Sequence, residues 1–219
     1  LQQLLQLGEL VGAVSLMIHA LQRERGTSNI FLCSHGNTWG KQLSERALEV
    51  RKAEEAVSQW LASQDLTGPN LANAPRLLSR IASVLHSLST LPQLRQQVLG
   101  LSISQPDAMN AYNEVIRSHL SLVFETADIS GDPSISRALL AMFSFMQGKE
   151  LAAQERATAA AGFAAGHFDV IAQQQFTGLI ESQERCFQTF MEFAAPRCLA
   201  MWRQQMNQDS RSEEHTSEL

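Results

Sequence analysis

Apolar residues recur at spacings of three and four through almost the whole chain, and this pattern constrains the fold more than any other feature. The first series consists of Leu4, Leu7, Val11, Val14, Ile18, Leu21, Arg25, Ser28 and Leu32. Such spacing places side chains on one face of an α-helix, whereas a half-buried strand needs strict alternation. Runs of alternating β-branched and aromatic residues do not occur in the sequence. We therefore predict an all-α protein.

Turn-forming residues divide this pattern into seven predicted helices. The first should end at His35-Gly36, and the second should begin near Thr38 and end before Thr67-Gly68-Pro69. The third is predicted from Pro75 to Thr90, with a stop or kink at Pro92. The remaining helices should begin at Gln105-Pro106-Asp107, at Asp132-Pro133 (reaching about Gly166), at Phe168 (reaching about Ala195) and after Pro196 (reaching about Asn207).

The number of helices predicts two units. Four antiparallel helices close one bundle, so the long fifth helix should begin a second. We predict two consecutive four-helix-bundle-like units that share long antiparallel helices, with the second unit truncated. The first bundle is assigned to residues 1–130 and the incomplete second bundle to residues 131–208. The polar residues 209–219 end in RSEEHTSEL, which resembles a translated sequencing adapter, and we expect this tail to be non-native.

Composition excludes several classes of protein. The chain has 219 residues, of which 44% are hydrophobic, so a sizeable core is expected. A net charge of -5 argues against a nucleic-acid-binding surface on this chain, and three cysteines without a CxxC pair argue against a disulfide scaffold. We find no apolar run of membrane-spanning length and no basic leader, so we predict a cytoplasmic protein with no membrane partner.

The sequence gives no indication of catalysis. It lacks the motifs of nucleophile elbows, nucleotide-binding loops and paired glycosidase carboxylates. Its six histidines show neither HExxH nor HxxxH spacing, so no metal site is indicated. We expect neither an enzyme nor a cofactor.

Two arginines occupy helical positions where apolar residues are expected. Arg25 lies on the same face as Leu21 and Leu32, and Arg156 lies on a stripe of alanine, methionine and phenylalanine. The segments around them, ALQRERGTSNIFL and LAAQERATAAAGF, align without gaps and share Glu-Arg, a small residue and Thr. We therefore predict that both guanidinium groups are buried, one in each unit, within a faint internal repeat.

A buried guanidinium requires a partner, because leaving such a charge uncompensated costs about 3–5 kcal/mol. One interpretation is a salt bridge between helices, for which the candidate carboxylates are Glu114, Glu125 and Glu181. The other is that both arginines bind one small anion, since planar guanidinium groups match planar oxyanions in geometry and charge. The residues alone leave both interpretations open.

The two arginine segments resemble a known family. LQRERGTSNIFL (Leu21 to Leu32) and GKELAAQERATAAAGFAAGHF (Gly148 to Phe168) are similar to segments of the NIT domain, which senses nitrate and nitrite. LPQLRQQV and ADISGDPSISRALLAM lie between them in the expected order, and the resemblance covers roughly residues 10 to 200. It implies that Arg25 and Arg156 bind nitrate or nitrite. Lys149, Ser28, Arg197 and Arg203 are further candidates.

The resemblance also implies an effector. In the family's transcription antiterminators the receptor precedes an RNA-binding ANTAR domain, so RNA would be a partner only through a further C-terminal domain, absent from this chain. We also expect a homodimer, because an incomplete second bundle would leave an apolar face uncovered. The alternative is a ligand-free helical dimerisation or signalling bundle of the chemoreceptor or kinase type, in which both arginines form salt bridges.

Overall fold

The computed structural model describes the backbone of residues 2–63, 75–128 and 132–216. These residues form seven α-helices, and no strand is found among them, so the all-α prediction is confirmed. The helices are α1 (Gln2–Cys33), α2 (Gly40–Ser63), α3 (Pro75–Leu99), α4 (Gln105–Asp128), α5 (Pro133–Ala165), α6 (Val170–Phe193) and α7 (Pro196–Thr216). The predicted breaker at residues 67–69 and residue 131 of the predicted joint lie outside the described residues.

Two helix ends differ from the predictions. Helix α3 continues through Pro92 to Leu99, so the predicted stop at residue 90 is wrong. Proline removes one backbone donor, but the buried series Leu88, Leu91, Leu94 and Val98 continues across it and retains the helix by packing. Helix α7 extends beyond the predicted end at residue 207, to Thr216.

The chain divides into two compact units, residues 1–132 and residues 133–219. In the first unit, α1 packs against both α2 and α4, and α3 packs against α4. Its core is aliphatic, with the phenol ring of Tyr112 fully buried among the aliphatic side chains. Helix α1 has the most continuous buried face, because residues at alternating spacings of four and three have no exposed surface: Leu10, Val14, Met17, Leu21, Glu24 and Ser28.

The second unit is built on the pairing of α5 with α6. Aromatic rings connect its three helices: Phe145 of α5 lies 5.1 Å from Phe190 of α6 between ring centroids, and Trp202 of α7 lies 5.9 Å from Phe190. Phe187 is 6.3 Å from both Phe145 and Trp202. Throughout the described part of the chain, no helix combines the length and the apolarity needed to cross a bilayer.

Gly148 of α5 lies against the ring of Phe187 on α6. A Cβ atom at this position would lie 3.0–3.2 Å from three ring carbons of Phe187, which is tighter than ordinary van der Waals contact. We expect Gly148→Ala to lower the free energy of unfolding by about 1–3 kcal/mol in urea denaturation, because the ring must move within a packed cluster. Gly178→Ala on α6 is the control. A Cβ there meets nothing within 4 Å, so the change should stabilise by about 0.5–1 kcal/mol. Equal effects of the two substitutions would contradict this packing.

Candidate functional site

The candidate site in the first unit lies on α1, where charged and polar side chains interrupt the apolar face. Arg25 is only 7% exposed, so the burial predicted from its helical position is confirmed. Glu24, Thr27 and Ser28 are buried with it. Buried polar groups require hydrogen-bond partners, and other helices supply them for Glu24, Arg25 and Ser28, whereas Thr27 bonds to a carbonyl of α1.

Glu24 is held by Arg95 of α3. Nε of Arg95 donates to Oε1 of Glu24 at 2.7 Å, and Nη2 donates to Oε2 at 2.8 Å. Glu24 is fully buried and the Arg95 side chain is 13% exposed, so the pair is shielded from water. Burial alone would lower the pKa of Arg95, but the hydrogen bonds and charge of Glu24 outweigh it, and the net pKa is raised. This bidentate ion pair joins α1 to α3 and fixes both side chains.

Tyr112 of α4 contacts the same carboxylate. Its hydroxyl donates to Oε1 of Glu24 at 3.1 Å and accepts a hydrogen bond from Oγ of Ser28 at 3.1 Å. Burial and the negative charge of Glu24 raise the pKa of the phenol, so Tyr112 stays protonated and acts as a donor. Ser28 therefore uses its hydroxyl proton within this network.

Arg25 contacts the residue next to Tyr112. Its Nη1 donates to Oδ1 of Asn113 at 2.5 Å, so adjacent residues on α1 contact adjacent residues on α4: Glu24 pairs with Tyr112, and Arg25 with Asn113. Two neighbouring contacts of this kind fix the rotation of α1 about its axis and the direction of the Arg25 side chain.

The carboxylates proposed as salt-bridge partners from sequence are each close to other arginines. Glu114 contacts Arg117 on its own helix, and Glu181 contacts Arg185 in the same way. The buried Glu125 lies 3.2 Å from Nε of Arg76 and 3.7 Å from Nε of Arg80, both on α3.

In the second unit Arg156 is exposed, so the predicted burial of this side chain is wrong. Helix α6 covers the side of α5 that carries Phe145, Gly148 and Glu155, and Arg156 lies beside that contact surface. The helical stripe identified from sequence is wider than one neighbouring helix can cover.

Lys149 lies two turns before Arg156 on α5 and is also exposed. Partial burial lowers the pKa of Lys149, the charge of Glu150 raises it, and the positive charge of Arg156 lowers it again, with a net decrease. The positive charges of Lys149 and Arg156 therefore oppose each other. An anion bound near both would relieve this repulsion.

The internal repeat has a structural counterpart in each unit. Thr27 and Thr158, two residues after the arginines, each donate to the backbone carbonyl four residues earlier, at 3.0 Å in both cases. Glu155, like Glu24, accepts a hydrogen bond from a neighbouring helix, here from Gln183 of α6. In both units a glutamate engaged by another helix therefore precedes the arginine.

Other candidates lie apart from this network. Arg197 and Arg203 are both exposed on α7. A groove of about 400 Å³ opens in the first unit beside the Glu24–Arg95 pair, with Leu43 and Arg51 of α2 among its lining residues. Neither Arg25 nor Asn113 lines it.

Sequence reasoning missed Glu24, Arg95 and Asn113. Glu24 lies on the fully buried series of α1, and Arg95 follows Leu94 on the buried face of α3. A carboxylate and a guanidinium at core positions of two different helices would have indicated the pair. No pattern in the sequence distinguishes Asn113 from other exposed or half-buried amides.

The first unit is all-helical and buries an arginine within a polar network that joins three helices. Comparison with known proteins identifies it further. The chain belongs to the nitrate and nitrite sensing (NIT) family, whose model matches residues 16–216.

Two relatives support this membership. The chain is 37% identical over 205 residues to the nitrate regulatory protein of Klebsiella oxytoca, covering 94% of this chain and 50% of that protein. It also resembles the solved structure of the NasR transcription antiterminator, with 36% identity, a TM-score of 0.85 and coverage of 93% of this chain and 54% of that one. The chain thus spans about half the length of these relatives, which are regulatory proteins by name.

Proposed function

We propose that this domain binds nitrate or nitrite through Arg25 and Arg156 and transmits the binding as a conformational change. The observation that carries the proposal is the repeated Glu-Arg segment, found once in each unit of a nitrate and nitrite sensing domain. In each copy another helix engages the glutamate, and the arginine follows it. Lys149 adds positive potential on the Arg156 side.

The chemistry of the anion fits such residues. Nitrate is planar and carries a single charge, so its oxygens can accept paired N–H groups from a guanidinium fork. A partly buried site favours a monoanion of modest hydration over a strongly hydrated dianion such as sulfate. Burial of Arg25 strengthens the attraction, because the effective dielectric constant is lower than in water.

Binding can act as a switch because two positive groups repel each other until an anion lies between them. The anion then stabilises the state in which both arginines contact it. The free energy available for signalling equals the difference in affinity between that state and the open one.

The test is a thermal unfolding series with sodium nitrate, sodium chloride and sodium sulfate at equal ionic strength. We expect nitrate to stabilise the protein by about 2.7 kcal/mol at a hundredfold excess over its dissociation constant. Chloride and sulfate should have little effect. The stabilisation should disappear in Arg25→Ala and in Arg156→Ala.

Matched controls separate the site from general charge effects. Arg23→Ala removes an exposed arginine of α1 that pairs with Glu49, and Arg137→Ala removes an exposed arginine of α5. Both variants should respond to nitrate like the parent protein. If nitrate changes nothing while Arg25→Ala destabilises the fold, the ligand-free helical bundle is the correct interpretation.

We further propose that the receptor regulates transcription antitermination in the cytoplasm, through an RNA-binding ANTAR domain C-terminal to it. The similarity to the NasR antiterminator supports this effector.

We also propose a homodimer, because α5, α6 and α7 expose large apolar side chains, among them Phe163, Ile171 and Met201. Sedimentation equilibrium of the protein should give twice the chain mass, and a monomer at all concentrations would contradict the dimer.

A further inference from the structure

Helices α2 and α3 leave a groove between them in the first unit. Within the described ranges of this unit, the closely packed pairs are α1 with α2, α1 with α4 and α3 with α4, and the pair α2 with α3 is not among them. The groove of about 400 Å³ lies in this gap and is lined mainly by those two helices. Its volume falls in the range of about 300–1,000 Å³ that is typical of small-molecule sites.

One face of each helix lines the groove. The lining residues recur at helical spacing, with Leu43, Ala47 and Arg51 on α2 and with Pro92, Arg95 and Leu99 on α3. Apolar side chains form most of the walls. A ligand with an apolar body would therefore remove apolar surface from water on both sides of the groove.

The apolar and charged parts of the groove lie at different depths. Gly36, just before α2, lies against Leu101, just after α3, because a Cβ on Gly36 would be 3.3 Å from the Leu101 side chain. The start of α2 and the end of α3 are therefore at the same end of the unit. Leu43 and Leu99 lie near that end, and Arg51 is two turns further along α2.

Two arginines line the groove. Arg95 uses Nε and Nη2 for Glu24, so the two N–H groups of its Nη1 have no acceptor in the described part of the chain. Arg51 is exposed, and its guanidinium has no ion pair or hydrogen bond with the residues that the structure describes. Glu54 also acts on Arg95 by its charge, but it does not line the groove. The lining therefore carries two positive charges and the single negative charge of Glu24.

We propose that the groove between α2 and α3 binds a small monocarboxylate with an apolar body. The carboxylate pairs with Arg51, and the body lies against Leu43, Ala47 and Leu99. A guanidinium donates paired N–H groups to a carboxylate, and the surplus of one positive charge matches a monoanion. A strongly hydrated dianion would lose more hydration against apolar walls than this charge returns. The site is separate from the nitrate site and does not depend on the proposed function.

The test is titration calorimetry with 2-naphthoate, in nitrate-free buffer. The neutral 2-naphthalenemethanol presents the same rings without the charge. We expect one naphthoate per chain, bound about tenfold or more tightly than the alcohol, because a hydrogen bond to a charged group contributes about 1.5–3 kcal/mol. Equal affinities for naphthoate and the alcohol, or no binding of naphthoate, would overturn the proposal.

Two pairs of variants locate the site. Arg51→Gln should weaken naphthoate binding to the level of the alcohol, whereas Lys52→Gln, which removes an exposed charge from the next residue outside the groove, should bind like the parent. Ser44→Phe places a ring inside the groove and should prevent binding of both probes. Ser58→Phe adds the same ring at an exposed position of α2 outside the groove and should have no effect. The assignment is wrong if the members of either pair behave alike.

Arg156→Ala keeps this test apart from that of the proposed function. Arg156 lies in the second unit, so its replacement should leave naphthoate binding at the parent's affinity even where the response to nitrate is lost. Loss of naphthoate binding in Arg156→Ala would show that the probe occupies the proposed nitrate site instead of the groove. If nitrate has no effect on the parent and naphthoate binds as described, the proposed function fails and the groove remains a binding site.

Discussion

Replacing Glu24 by alanine is expected to lower the free energy of unfolding by about 3–5 kcal/mol, the largest effect of any single substitution considered for this protein. The change leaves the guanidinium of Arg95, whose side chain is 13% exposed, without its bidentate partner. It also removes the acceptor of the Tyr112 hydroxyl. Urea denaturation at neutral pH measures the loss.

Glu45→Ala is the matched control for this prediction. Glu45 forms an ion pair with Lys41, in which both side chains are exposed and the atoms are 3.9 Å apart. Such surface pairs contribute about 0–1 kcal/mol. The account would be contradicted if Glu24→Ala cost no more than Glu45→Ala. The double variant Glu24→Leu/Arg95→Met should recover most of the loss, because replacing both members of a buried pair with apolar groups is often neutral.

The second large effect concerns His119, which is fully buried on α4. Its Nδ1 lies 2.7 Å from the carbonyl oxygen of Val115, and for Nε2 no hydrogen-bond partner is found in the part of the chain that the structure describes. Burial lowers the pKa of His119 from 6.5 to about 4, although the hydrogen bond to Val115 raises it. In the folded protein the imidazole is therefore neutral above about pH 4.

A lowered histidine pKa makes the fold sensitive to acid. Below pH 6.5 the unfolded chain binds a proton at this position and the folded chain does not, so stability falls as the pH decreases. The lowered pKa of His119 corresponds to a loss of about 3 kcal/mol in the free energy of unfolding by pH 4. At lower pH this loss levels off. We expect His119→Leu to reduce the difference in unfolding free energy between pH 7.5 and pH 4 by this amount, measured in urea.

The exposed His86 on α3 provides the control for the histidine prediction. His86→Leu should retain the full acid sensitivity of the parent, because it replaces a solvent-exposed imidazole and leaves the buried His119 in place. Carboxylates also titrate between pH 7.5 and pH 4, and comparing the two variants cancels their contribution. Identical pH dependence of His119→Leu and the parent would show that His119 is not the acid-sensitive group.

Much of the fold follows from spacing alone. The period near 3.6 predicts all the helices, and the inward position of Arg25 follows from its place between Leu21 and Leu32. Arg156 shows the limit of that argument. Periodicity reports which side chains share a face, but burial depends on whether another helix covers it, and α6 covers only the adjacent side of α5.

The partners of a buried group are even less accessible from sequence. Glu24 and Arg95 are separated by 71 residues, and Arg25 and Asn113 by 88. They come together only because α4 packs against α1 and α3 packs against α4. The helix end predicted before Pro92 is wrong for a related reason. The local loss of one backbone hydrogen bond is outweighed by the packing of buried apolar side chains on either side of the proline.

The central claim is that Arg25 and Arg156 bind the same anion, and a double-mutant cycle of nitrate affinity tests it most directly. Arg25→Lys and Arg156→Lys retain the charge but remove the planar fork, so residual binding remains measurable by titration calorimetry. We expect one nitrate per chain, and losses in the single variants that differ from additivity in the double variant by about 0.5–3 kcal/mol. Two nitrates per chain, or losses that add independently, would contradict the account.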